Sequence, residues 1–205
     1  MNKSKTLKKI LFTAFLLFSC ASQATYVEST NLFFRAEADS SVNVYTFDGF
    51  KLNIIDRTSD IIKEKIPVSK GNYFALFFAR DGYLPEVKVL QADKENIDAG
   101  RIKLKETMDN DKGFLTGVVY MPSHGGKISY REGISVLFGG INIMIDNDKG
   151  QIYSFRTRGN GAFIIPLAEG RYRIASEGSR QRFEVFITKG KTTIQNLQRG
   201  LKLID

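Results

Sequence analysis

Few residues in this chain of 205 could do covalent chemistry. His124 is the only histidine, so no multi-histidine metal site can be built. It stands in Ser123-His124-Gly125-Gly126, and a Ser-His dyad needs convergent side chains, an oxyanion site and an orienting acid that this run does not offer. The segment reads as an exposed turn. Asp109-Asn110-Asp111-Lys112-Gly113 and Asp146-Asn147-Asp148-Lys149-Gly150 are one pentapeptide written twice. Alternating acids before a glycine resemble the start of a calcium loop, but both copies lack the later acidic ligands. A linker turn and a hairpin turn account for the pair. Cys20 is the only cysteine, which rules out a disulfide and a thiolate metal cluster. No catalytic residue, cofactor or metal is expected.

Cys20 has a different use. Lys3, Lys5, Lys8 and Lys9 precede the apolar run 10–18, which gives way at once to small residues, the layout of an export signal. The run falls short of the roughly 20 apolar residues that span a bilayer, so it targets rather than spans. Two cuts fit. Ser22-Gln23-Ala24 is a small-x-small site that ends a signal at 1–24. Leu17-Phe18-Ser19-Cys20 resembles a bacterial lipobox, with a signal at 1–19 and Cys20 as the lipidation candidate. Under that resemblance Ala21 points to outer-membrane sorting, so the expected location is exported, either periplasmic or outer-membrane-associated, with secretion as the alternative. Membrane contact is expected only through the lipid. Losing the four signal lysines lowers the formal charge from +8 to +4, a solubility property that does not argue for nucleic acid.

The remaining chain alternates short apolar runs with Gly, Asn, Asp and Ser turns, the pattern of an all-β sandwich. Only 60–65 is ambiguous between a helical turn and an edge strand. Aligned on itself, the chain shows a repeat. Ile66-Pro67-Val68-Ser69-Lys70-Gly71-Asn72-Tyr73 matches Ile165-Pro166-Leu167-Ala168-Glu169-Gly170-Arg171-Tyr172 at an offset of 99 residues. At the same offset, Ile102-Lys103-Leu104 and Leu201-Lys202-Leu203 read as closing strands. Pro67 and Pro166 should end edge strands, Gly71 and Gly170 should make turns, and Tyr73 and Tyr172 should anchor a hairpin in the core. Further strands are expected at 74–78, 86–90, 115–120, 135–138, 141–145, 151–156, 162–165, 171–175, 183–188 and 200–203. The reading is a signal helix followed by two tandem Ig-like/transthyretin-like β-sandwich domains. The first spans 26–106 and the second 113–205, with 107–112 as a polar linker.

The second module carries Gly117-Val118-Val119-Tyr120, Thr157-Arg158-Gly159-Asn160-Gly161-Ala162-Phe163 and Pro166-Leu167-Ala168-Glu169-Gly170-Arg171-Tyr172. These runs resemble the carboxypeptidase regulatory-like, or transthyretin-like (prealbumin-like), domain. Arg158 departs from the aspartate common there. The resemblance implies an accessory sandwich that spaces or docks other proteins, and no peptidase chemistry.

Two surfaces are candidates for binding. Arg156 with Arg158, and Arg171 with Arg173, fall on common strand faces by alternation and would suit an anionic partner. A glycan would need exposed planar rings such as Tyr130 or Tyr153 beside polar side chains, and the absence of tryptophan counts against it. Phe33-Phe34 and Phe77-Phe78 each put one ring on either face of a strand, so one of each pair could face outward. The function expected is a non-catalytic structural or docking protein of the cell envelope that binds a protein partner through sheet edges or end loops. A carbohydrate-binding accessory module is the alternative.

Overall fold

The computed structural model describes residues 31–107, 111–123 and 133–199. The signal region with Cys20, Asp109 and Asn110, His124, Tyr130 and the expected strand at 200–203 lie outside them. Among the described residues every regular element is a strand.

In the first half the strands are β1 (Asn31–Glu37), β2 (Asn43–Phe47), β3 (Leu52–Ile54), β4 (Ile61–Pro67), β5 (Tyr73–Ala79), β6 (Tyr83–Leu84), β7 (Glu86–Gln91), β8 (Asn96–Arg101) and β9 (Lys105–Glu106). The ambiguous stretch is thus strand β4. Its Ile62 and Ile66 are buried while the residues between them are exposed, the mark of an edge strand with one face on the core. Strands β4-β1-β8 make one sheet. The second sheet is built on β5, which pairs with β2 on one side and β7 on the other, with β3 beyond β2. Leu32, Phe34, Ile62, Ile66, Phe74, Leu76 and Phe78 fill the space between the two sheets.

The second half holds β10 (Lys112–Pro122), β11 (Ile134–Leu137), β12 (Asn142–Asn147), β13 (Ile152–Arg156), β14 (Ala162–Ala168), β15 (Gly170–Ser176), β16 (Phe183–Ile187), β17 (Thr192–Ile194) and β18 (Leu197–Gln198). The long strand β10 is paired along both sides, with β14 and β11 on one and the short β17 and β18 on the other. Opposite it lies the sheet β13-β12-β15-β16. Leu115, Val119, Ile143, Ile145, Ile165, Ile174 and Ile187 pack between them.

The repeated octapeptides are not hairpins, which corrects the sequence expectation. β4 pairs with β1 while β5 pairs with β2 and β7; β14 pairs with β10 while β15 pairs with β12 and β16. Each octapeptide carries the chain from one sheet of its sandwich to the other. The physical reason is burial. Ile66 and Phe74 enter one core from opposite sheets, as do Ile165 and Ile174 in theirs, whereas a flat hairpin would leave both apolar faces on one layer. Pro67 ends β4, and Gly71 makes the turn at φ +89°. Pro166 instead lies inside β14, where the strand pairs with β10 alone and its free edge tolerates the missing N–H. Ile102 and Leu104 pack on the first core, but they fall between β8 and β9 and form no strand.

A third core joins the halves. Phe47, Ala75, Phe77 and Val87 of the first meet Val118, Tyr120, Ile134 and Ala162 of the second. The three cores follow one another from β4-β1-β8, across β5 and then β10, to β13-β12-β15-β16, and β5 and β10 belong to one nine-stranded sheet joined where Ile134 of β11 pairs with Tyr73 of β5. β5 and β10 are nearly continuous in apolar residues and buried on both faces, as a strand enclosed between two cores must be.

Candidate functional site

The outer face of β13-β12-β15-β16 carries three of the sequence-predicted residues, Arg156, Arg171 and Arg173. Cross-strand register puts Ile152, Asp146, Arg173 and Glu184 in one row across the four strands. Arg173 Nε donates to Asp146 Oδ1 at 2.6 Å, and Arg182 stands 3.9 Å from the same carboxylate. Arg171 is exposed beside a shallow depression of about 340 Å³ shared with Asp148, Glu184 and Phe186. Arg156 is exposed, and its Nε donates to the Gly140 carbonyl at 2.7 Å. Arg158 lies beyond β13 in a turn closed by the Gly161 N–H on its carbonyl. Three acids thus sit among the arginines, and the face is of mixed charge.

Tyr153 is not on that face. It stands opposite Ile145, in the row that continues to Ile174 and points toward the core. Its ring is 36% exposed because β13 is an edge strand, and its hydroxyl donates to Gln151 Oε1 at 2.9 Å. Tyr130 lies outside the described residues. The structure therefore brings Arg171 and Arg173 together and places Tyr153 on the other side of their sheet.

The sequence reading missed the large apolar side chains on this outer face: Ile152 at 69%, Phe186 at 55% and Met144 at 44% exposure. Alternation with buried Ile143, Ile145, Val185 and Ile187 was the signal that could have found Met144 and Phe186. Of the paired phenylalanines, Phe34, Phe77 and Phe78 are all buried and only Phe33 faces solvent. Phe77, on the face of β5 turned away from the first core, is covered by the second half.

The Asp146 pentapeptide forms the β12–β13 hairpin turn. Asn147 Oδ1 accepts from the N–H groups of Lys149 and Gln151, and Gly150 takes φ +75°. A larger depression, about 540 Å³, lies at one end of the first half between Glu37, Asp39, Asp60, Arg80 and Arg101. There Asp39 accepts from the N–H and Oγ of Ser41, which hold its carboxyl below the usual range. Among the described residues no group of three or more His, Cys, Asp or Glu gathers as a metal site.

No protein-family model matches the chain, and no curated protein matches it. Solved structures give distant likenesses. The Bacillus anthracis TIE protein is 14% identical, with a TM-score of 0.33 over 82% of this chain and 34% of that one. This chain thus spans about a third of its length. GBS52, the minor pilin of the gram-positive pathogen Streptococcus agalactiae, is 9% identical, with a TM-score of 0.33 over 82% and 95%. The shaft pilin SpaA of Lactobacillus rhamnosus GG is 10% identical, with a TM-score of 0.30 over 84% and 98%. Scores this low assign neither family nor role. They lend no support to the expected periplasmic or outer-membrane location, GBS52 being a pilin of a gram-positive organism, and that location is withdrawn.

Proposed function

We propose that the chain is an exported, non-catalytic structural protein of the cell envelope that docks a protein partner. Its two β-sandwich modules, at about 26–106 and 113–205 with 107–112 between them, act as one stiff spacer, and lipidated Cys20 is its anchor. The second module is the carboxypeptidase regulatory-like one. The observation that carries this reading is the third core. Phe47, Phe77, Val118 and Tyr120 are each at most 7% exposed in it, so neither half can tilt on the other without opening apolar surface to water. A stiff body with many sheet edges suits holding and docking, and the two depressions described above are lined by charges of both signs.

Crosslinking in intact envelopes, with the recovered proteins identified beside a glycan array, tests the reading. A defined protein partner with no glycan bound is expected; glycan binding without a protein partner overturns it. Labelling with a radioactive fatty acid in wild type and Cys20→Ala tests the anchor, and an unlabelled wild type removes it.

A further inference from the structure

Exposed sheet edges invite pairing with other chains, and proteins blunt them with proline, lysine, bulges, short length or a covering group. Almost every edge among the described strands carries such a device. β4 has Lys63, Lys65 and Pro67, and β14 has Pro166. β8 has a register shift against β1, and the Lys88 Nζ of β7 caps its Ala99 carbonyl. β11 has a register shift against β10, and β3, β17 and β18 are three residues or fewer. On β16 the Thr193 hydroxyl covers the Phe186 carbonyl. β13, Ile152-Tyr153-Ser154-Phe155-Arg156, has no proline, lysine or bulge, and it pairs with β12 in unbroken register over five residues.

The hydrogen-bond phase of β13 is fixed. Asn147 N–H donates to the Gln151 carbonyl and Thr157 N–H to the Ile141 carbonyl, so the odd-numbered residues from 151 to 157 turn their backbone groups toward β12. Alternation leaves the N–H and C=O groups of Ile152, Ser154 and Arg156 pointing outward. These three are spaced symmetrically about Ser154. Charge is arranged to match: Asp148 precedes the strand, while Arg156 and Arg158 stand at and beyond its far end. An antiparallel copy brings acids to arginines, and a parallel one sets like on like.

We propose that β13 pairs antiparallel with β13 of a second copy of this chain about a two-fold axis through Ser154. This deepens the docking role proposed above and rests on it, naming the edge and its occupant. Ile152 then exchanges backbone bonds with Arg156 of the second copy. Tyr153 faces Phe155 of the second copy in the closely spaced pairs, about 4.5 Å between Cα atoms, which covers two aromatic rings that β13 leaves part-exposed. The two four-stranded sheets become one of eight, an isologous interface.

The test uses the full-length chain. Opposed Ser154 residues would lie about 5.5 Å apart at Cα, within disulfide range, so Ser154→Cys should give a covalent dimer on a non-reducing gel. Wild type and Tyr153→Cys should not. Ser154→Pro removes an outward N–H, so it should keep the wild-type circular dichroism while the sedimenting mass falls from dimer to monomer. A wild type that sediments as monomer at every concentration, with no Ser154→Cys dimer, overturns the proposal. In that case the docking role stands or falls separately on the envelope crosslinks. A Ser154→Cys dimer with no envelope partner sinks the docking role alone.

Discussion

The ring of Phe47 meets the ring of Tyr120 edge-on, with centroids 4.9 Å apart and planes at 84°. One residue closes β2 of the first half and the other lies on β10 of the second, so the contact crosses between the two sandwiches at their shared core. Phe47→Ala should cost about 3–5 kcal/mol in urea unfolding. A double-mutant cycle with Tyr120→Leu should return a coupling of about 0.5–1.5 kcal/mol. Strictly additive losses would mean the rings do not interact.

The Tyr120 phenol is pushed up to about 12, first by burial and then by the nearby Asp48 carboxylate. The proton is thus held more tightly in the folded chain than in the unfolded one, whose tyrosines titrate near 10. The associated stability is complete below about pH 10 and is lost as pH rises from there through 12. Stability measured from pH 9 to 12 should fall in wild type, with a shallower fall in Tyr120→Phe. Parallel curves would show that Tyr120 carries no share of this alkaline sensitivity.

Gly49 and Gly133 meet backbone to backbone across the same junction. A Cβ on Gly49 would stand 2.7 Å from the Gly133 carbonyl oxygen, and one on Gly133 would stand 2.7 Å from Asn72 Cβ; their φ angles are +96° and +117°. Alanine at either position should cost about 2–3 kcal/mol. Gly150, at φ +75° with open space around it, should cost only about 1 kcal/mol. Equal losses at all three would remove the close approach as the cause.

Phe33 and Phe78 separate surface from core. Phe78 is fully buried and Phe33 is 47% exposed. Phe78→Ala should cost about 3–5 kcal/mol, while Phe33→Ala should stay within about 0.5 kcal/mol. Comparable losses would show Phe33 to be covered.

Most strands of the second half are legible in the sequence because alternation, Gly turns and β-branched residues agree there, whereas the short β17 and β18 carry no such signal. β12 to β16 begin and end within three residues of expectation. The octapeptides were misread because Pro-to-Gly-to-Tyr spacing fits a hairpin and a sheet-to-sheet corner equally well, and only the pairing of β4 with β1 separates them. The third core was missed although its signal was present. The run Tyr73-Phe74-Ala75-Leu76-Phe77-Phe78-Ala79 has no polar alternation, which in a strand means burial on both faces. Alternation reads ring pairs such as Phe77-Phe78 as one in and one out, whereas the outward ring is covered by the partner half of the same chain. The candidate surface was least legible: alternation along β15 sets Arg171 and Arg173 on one face, but no local rule says that Asp146 of β12 pairs with Arg173.

The two halves are welded into one body through Phe47, Phe77, Val118 and Tyr120. Scanning calorimetry of the intact chain tests it most directly. One heat-absorption peak is predicted, with calorimetric and van't Hoff enthalpies equal. Two resolved peaks, with Phe77→Ala lowering only the one belonging to the first half, would contradict it.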